Sequence, residues 1–225
     1  MEAGVFKADS IAVATAAQEA GRQEVCTSMK AHDRYQPTWE IREDALQLAV
    51  RNGLLRHYSV HPPPRPRVVR EYSAQVMGNI PDAPQTDRPV DLAVLFPLRE
   101  AQATTSPHGH AWASENTCVM GLIEVKKDWQ RVAADLAWLD RTASLLPKPG
   151  TPPLQWVLMV SLLGGRTSEH LLDVKRTVEA KARQANLPRL TECMPRKAPI
   201  HAGTNQIGDL WFEVVCYGRP CLQGA

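Results

Sequence analysis

Val119-Met120-Gly121-Leu122-Ile123-Glu124-Val125-Lys126 is an apolar run that closes on an acid and an amine. A continuous apolar run of strand length is expected of a strand buried on both faces. Side chains alternate along a strand, so Glu124 and Lys126 share one side of the sheet while Ile123 and Val125 point to the other. Burying an unpaired ion in such surroundings costs several kcal/mol, so the two charges either pair with each other or serve a site. As a pair at a solvated strand end they would contribute only about 0–1 kcal/mol.

Upstream, residues 90–96 (VDLAVLF) form a second buried-strand pattern with one charge near its start, Asp91. Residues 68–76 (VVREYSAQV) mix β-branched and aromatic residues with polar ones, as an exposed or edge strand does. His61-Pro62-Pro63-Pro64-Arg65-Pro66 ahead of it is an extended connector, because each proline fixes φ and removes a donor. Before that, Trp39, Ile41, Ala45, Leu46, Leu48, Ala49, Leu54 and Leu55 recur mostly at helical spacing. Thr38 is read as the N-cap of this helix, Glu40 to Glu43 as complementing its positive end, and Gly53 as lying near its finish. Residues 1–36 hold Ala, Gln, Glu and Lys with little large apolar content and are expected to form a weakly packed arm or helix.

Downstream, Asp128 caps a predicted helix whose apolar positions Trp129, Val132, Ala133, Leu136, Leu139, Ala143 and Leu146 follow the 3.6-residue period up to Pro147 and Gly150. Residues 154–163 (LQWVLMVSLL) read as a third core strand closed by Gly164-Gly165. Ser168 then opens a helix through Leu171, Leu172, Val174, Val178, Ala182 and Ala185, and residues 207–217 give a last strand. The polar, irregular residues 97–116 are an excursion between strands. The order helix, strand, strand, strand, helix, strand, helix, strand predicts an α/β domain over residues 37–225, with a mixed central sheet flanked by helices on both sides.

Composition narrows the function classes. With 225 residues, 44% of them hydrophobic, the chain can bury a real core, and no stretch approaches the roughly 20 apolar residues of a membrane helix. The N-terminal stretch is too weakly apolar for a secretory signal, so a soluble, cytoplasmic protein is expected. Five cysteines (Cys26, Cys118, Cys193, Cys216 and Cys221) without any CxxC pair argue for reduced thiols and against structural zinc. A net charge of +2 neither requires nor excludes nucleic acid. Gly164-Gly165 lacks the spaced glycines of a dinucleotide site and the Gly-Lys-Ser/Thr of a P-loop.

Pro89-Val90-Asp91 opening one strand and Glu124-Val125-Lys126 ending the next resemble the motif pair of the PD-(D/E)XK, or restriction-endonuclease-like, nuclease superfamily. The resemblance spans roughly residues 38–163. It rests on topology and three polar residues, because Val90 separates Pro89 from Asp91, where the family motif has the two adjacent. Pro81-Asp82 is a literal Pro-Asp pair, but it lies in a turn-rich stretch with no strand behind it.

The resemblance implies a helix-strand-strand-strand-helix-strand core and metal-dependent hydrolysis of phosphodiester bonds, in DNA before RNA. It implies a Mg²⁺ centre, with Mn²⁺ as substitute, held by Asp91, Glu124 and the carbonyl of Val125. Lys126 would orient or deprotonate the attacking water and offset charge on the scissile phosphate. It further suggests Glu43, with Glu40 second, as the acid that the first helix sends to the metal, and Gln130 as a residue near the phosphate. The tyrosine that accompanies such a glutamine in some branches is Ala134 here. Members of the family often work as homodimers. A second class of function uses the same fold as a catalytically idle module that binds nucleic acid or a protein.

The remaining polar features have plain readings. His108-Gly109-His110 is expected to be a solvated pair in a loop. Arg65, Arg67, Arg70, Lys127, Arg131, Arg166, Lys175 and Arg176 form either a solvated face or a surface that tracks a nucleic-acid backbone.

Overall fold

The structure is a computed structural model that describes residues 3–31, 42–61, 65–72, 89–97, 117–127, 134–135, 137–139, 142, 154–202 and 205–221. Along the chain, α1 (Ala3–Ala31) and α2 (Glu43–Ser59) precede three strands, β1 (Arg67–Tyr72), β2 (Val90–Pro97) and β3 (Thr117–Lys126). Then come β4 (Trp156–Gly165), α3 (Ser168–Gln184), β5 (Arg196–Ala202) and β6 (Asn205–Pro220). The six strands form one mixed sheet in the order β1-β2-β3-β4-β6-β5. Only β3 and β4 run parallel; the other neighbours are antiparallel. A parallel pair needs a crossover connection, usually helical. Helical residues 134–135, 137–139 and 142 lie in that connection, and Leu139 is wholly buried there. The other positions of the helix expected over residues 128–146, including Trp129, Val132 and Leu136, lie outside the described residues.

The apolar strands at the centre of the sheet are covered on both sides, which explains why their sequences scarcely alternate. On one side, Val13, Ala17, Leu46, Val50 and Leu54 of α1 and α2 pack with Leu92, Ile123, Val125, Leu158 and Val160. On the other, Leu171, Val174 and Val178 of α3 pack with Leu122, Val157, Met159 and Val215. Ser168 opens α3 as expected, with Thr167 as the N-cap: its hydroxyl accepts from His170 N–H at 3.1 Å. No helix among the described residues is long and apolar enough to cross a membrane.

Three expectations are corrected. The N-terminal segment is not weakly packed, since Val13, Ala14, Ala17 and Val25 of α1 are wholly buried in the core. Alanine and glycine allow the backbones of α1 and α2 to approach closely: a Cβ added at Gly53 would stand 2.4 Å from Ala20 Cβ. Gly53 is therefore a packing residue inside α2, not its terminator, and the helix runs on to Ser59. Its first residue is Glu43, with Arg42 at the N-cap making no side-chain cap bond, while Thr38 lies outside the described residues. β5 was not expected at all. Its sequence, RKAPIHA, has little apolar content and a proline, and β5 takes an edge position, where a missing N–H is tolerated.

Gly53→Val should lower the urea unfolding free energy by about 1–3 kcal/mol, because the added carbons overpack a contact with no slack. An unchanged unfolding midpoint would mean that α1 does not pack on α2 as described.

Candidate active site

β2 and β3 bring the first acid to the triplet. Leu92 stands opposite Ile123 and Ala93 opposite Leu122, and one step further along the same register aligns Asp91 with Glu124. Directly opposed residues of an antiparallel pair lie on the same face. Leu122 belongs to the core beneath α3, whereas Ile123 and Val125 belong to the core beneath α1 and α2, so alternation puts Glu124 and Lys126 on the α3 side.

Four side chains meet at the end of β3. Lys126 Nζ lies 2.9 Å from Glu124 Oε1, 3.3 Å from Glu43 Oε1 and 3.5 Å from Asp91 Oδ2. Backbone groups fix the carboxylates: Val125 N–H donates to Asp91 Oδ2 at 2.8 Å, and Asp91 N–H donates to Glu124 Oε2 at 3.3 Å. Lys127 N–H reaches Glu43 Oε2 at 3.5 Å. The side chains grade from interior to solvent, Glu124 at 0% exposure, Lys126 at 6%, Asp91 at 14% and Glu43 at 34%. The cluster thus runs from a fully buried acid to a part-exposed one.

Burial is the largest influence on Lys126 and works against its charge, but Glu124 and Asp91, then Glu43, together outweigh it and hold the ammonium above the usual lysine range. Lys126 therefore stays protonated at neutral pH.

The helix that supplies Glu43 explains its reach. An acid in the first turn of α2 is favoured by the helix dipole, and of the two acids there Asp44 is taken by Arg42 at 2.7 Å while Glu43 turns to Lys126. The structure thus brings together Asp91, Glu124, Lys126 and Glu43, with the backbone of Val125 joining through its N–H. Gln130, Glu40, Pro81-Asp82, Arg131 and His108-Gly109-His110 lie outside the described residues.

No protein-family model, no curated protein and no solved structure matches this chain.

The donor set suits a hard divalent cation. Mg²⁺ takes oxygen ligands, commonly one or two carboxylates completed by water and phosphate oxygens. Here three carboxylates from α2, β2 and β3 already converge on one positive charge, the ammonium of Lys126. No three His, Cys, Asp or Glu side chains among the described residues are disposed as a metal site.

A second charged cluster was not anticipated. Glu213 of β6, wholly buried, meets Arg189 Nη2 at 2.6 Å and Lys175 Nζ at 3.0 Å, and Arg189 Nη1 meets Glu179 at 3.1 Å. Lys175 is thereby removed from the expected basic surface, because its ammonium turns inward to Glu213. Arg65, Arg67, Arg70, Lys127, Arg166 and Arg176 are exposed. The signal for Glu213 was present in the sequence as an acid in an apolar strand, the same signal that singled out Glu124. Cys26, Cys193, Cys216 and Cys221 form no disulfide among the described residues; burial pushes Cys216 up to about 12, which makes it inert.

Proposed function

We propose that this chain is a metal-dependent nuclease with a restriction-endonuclease-like core, hydrolysing phosphodiester bonds in nucleic acid, DNA before RNA. The observation that carries the reading is the convergence of Asp91, Glu124 and Glu43 on Lys126 at the open end of β3. Burying such charges carries a desolvation cost, which a site with a chemical role would explain.

Asp91 and Glu124, with the carbonyl of Val125, are the groups that would hold a divalent cation such as Mg²⁺. When bound, such an ion supplies activation of water and neutralisation of phosphate charge. Val125 N–H keeps Asp91 in place, and Asp91 N–H keeps Glu124 from turning away. Lys126 is suited to orient the attacking water and to stabilise charge growing on the scissile phosphate. Glu43, the most exposed of the three acids, stands where the substrate enters.

The test is calorimetric titration with Mg²⁺ and Mn²⁺ beside a cleavage assay on single-stranded DNA, double-stranded DNA and structured RNA. Binding of one divalent ion with cleavage is expected. A wild-type protein that binds no divalent ion and cleaves nothing is the idle module instead. Lys126→Ala should lower turnover by ~10²–10³, the usual loss on removing one electrostatic stabiliser of a transition state. It should retain or raise Mn²⁺ affinity, because an ammonium no longer competes for the carboxylates. A Lys126→Ala protein that turns over at the wild-type rate would remove Lys126 from the chemistry.

A further inference from the structure

The ammonium of Lys126 stands among the carboxylates that a divalent ion would need, so the two positive charges compete for the same oxygens. An ion that takes those oxygens would displace the ammonium while its backbone stays fixed in β3. An ammonium has three protons to place and no acceptor of its own. In the observed state it is surrounded by Glu124 of its own strand, Asp91 of β2 and Glu43 of α2.

On the other side of β3 lies β4, and the residue in register with Lys126 there is Ser161. Adjacent strands are about 4.8 Å apart, and residues in register on a parallel pair project to the same face. Ser161 is the one hydroxyl in a strand otherwise built of Trp, Val, Leu, Met and Gly, and it is wholly buried. Its Oγ has no hydrogen-bond partner among the described residues. Buried polar groups in folded proteins are nearly always paired, and an orphan calls for an explanation.

We infer that Ser161 is a positioning residue that accepts the ammonium of Lys126 when a divalent cation takes its place among the carboxylates. The inference rests on the divalent-ion reading of the site. It gives the orphan hydroxyl a partner in the loaded state and keeps the lysine charge beside the reacting phosphate.

Mn²⁺ titration by calorimetry on wild type, Ser161→Ala, Ser161→Cys, Lys126→Ala and the Ser161→Ala/Lys126→Ala double variant tests it, with thermal unfolding of each in chelator. Ser161→Ala and Ser161→Cys should bind Mn²⁺ about tenfold more weakly, the lower end of what loss of a supporting partner costs a metal site. Their unfolding midpoints in chelator should not fall, since the lost hydroxyl has no partner in that state. In the Lys126→Ala background the serine change should have no further effect, because the residue through which it acts is gone.

Wild-type affinity in both serine variants would overturn the inference and leave the metal reading standing. A tenfold loss that persists without Lys126 would mean that the hydroxyl serves the ion directly, which also overturns it, as would a lower unfolding midpoint in chelator. Failure of the wild type itself to bind Mn²⁺ would remove the reading on which the inference rests.

Discussion

Asp91→Asn and Glu124→Gln should each abolish Mg²⁺-dependent cleavage and bind Mn²⁺ far more weakly than wild type. Each change removes a charged oxygen donor from a site whose ion would supply several kcal/mol of charge stabilisation, and at 1.36 kcal/mol per decade that is a loss of ~10³ or more in rate. The amide variants are preferred to alanine for a reason visible in the geometry. Glu124 is wholly buried against an ammonium that is only 6% exposed, so truncation would leave a buried charge short of a partner and confuse loss of function with loss of fold. Asn at position 91 can still accept from Val125 N–H, where Asp91 Oδ2 now accepts at 2.8 Å. Cleavage by either variant at a rate near that of wild type would show that the chemistry lies elsewhere. Cleavage lost together with a collapsed unfolding midpoint would show only that the cluster holds the sheet.

Much of this site was legible because a strand has a period of two. An acid and an amine two residues apart at the end of an apolar run must share a face, whatever the rest of the fold. The register that sets Asp91 opposite Glu124 was not legible in that way. It follows from the pairing of Leu92 with Ile123 and Ala93 with Leu122, and the 33 residues separating the two acids in sequence do not encode it. Glu43 was one of several acids on a helix. Its selection follows from where α2 starts, which places Glu43 in the first turn beside the end of β3.

What escaped notice did so for physical reasons. α1 was underestimated because hydrophobic patterns are weighted towards large side chains, whereas two helices packed through Ala20 and Gly53 gain their contact from the absence of side chain. β5 has a proline and two cations because an edge strand bonds to one neighbour only and need not be apolar. Lys175 lies on the amphipathic helix α3 and read as solvated, since nothing local shows that a buried acid of β6, distant in sequence, waits beneath it. Long-range ion pairs leave no trace in periodicity.

That buried acid carries the largest stability effect expected here. Glu213 is wholly buried between Arg189 and Lys175, both mostly buried themselves. For Arg189, burial is again the largest influence and opposes the charge, yet Glu213, followed by Glu179 and Glu192, more than offsets it and holds the guanidinium above the usual arginine range. Glu213→Gln would keep the shape and remove the charge, leaving two cations facing each other across a neutral amide. Removing one partner of a buried ion pair typically costs about 3–5 kcal/mol. Against a total stability of about 5–15 kcal/mol, that is enough to bring the protein close to unfolding at ordinary temperature. Because Glu213 sits on β6 beneath α3 and the Lys126 cluster on β2, β3 and α2, Mn²⁺ affinity of the folded fraction should stay at the wild-type value. Urea unfolding together with calorimetric Mn²⁺ titration separates the two effects. A loss under about 1 kcal/mol would mean that solvent reaches the cluster and screens it like a surface pair. A normal unfolding midpoint with weakened Mn²⁺ binding would instead join this cluster to the site.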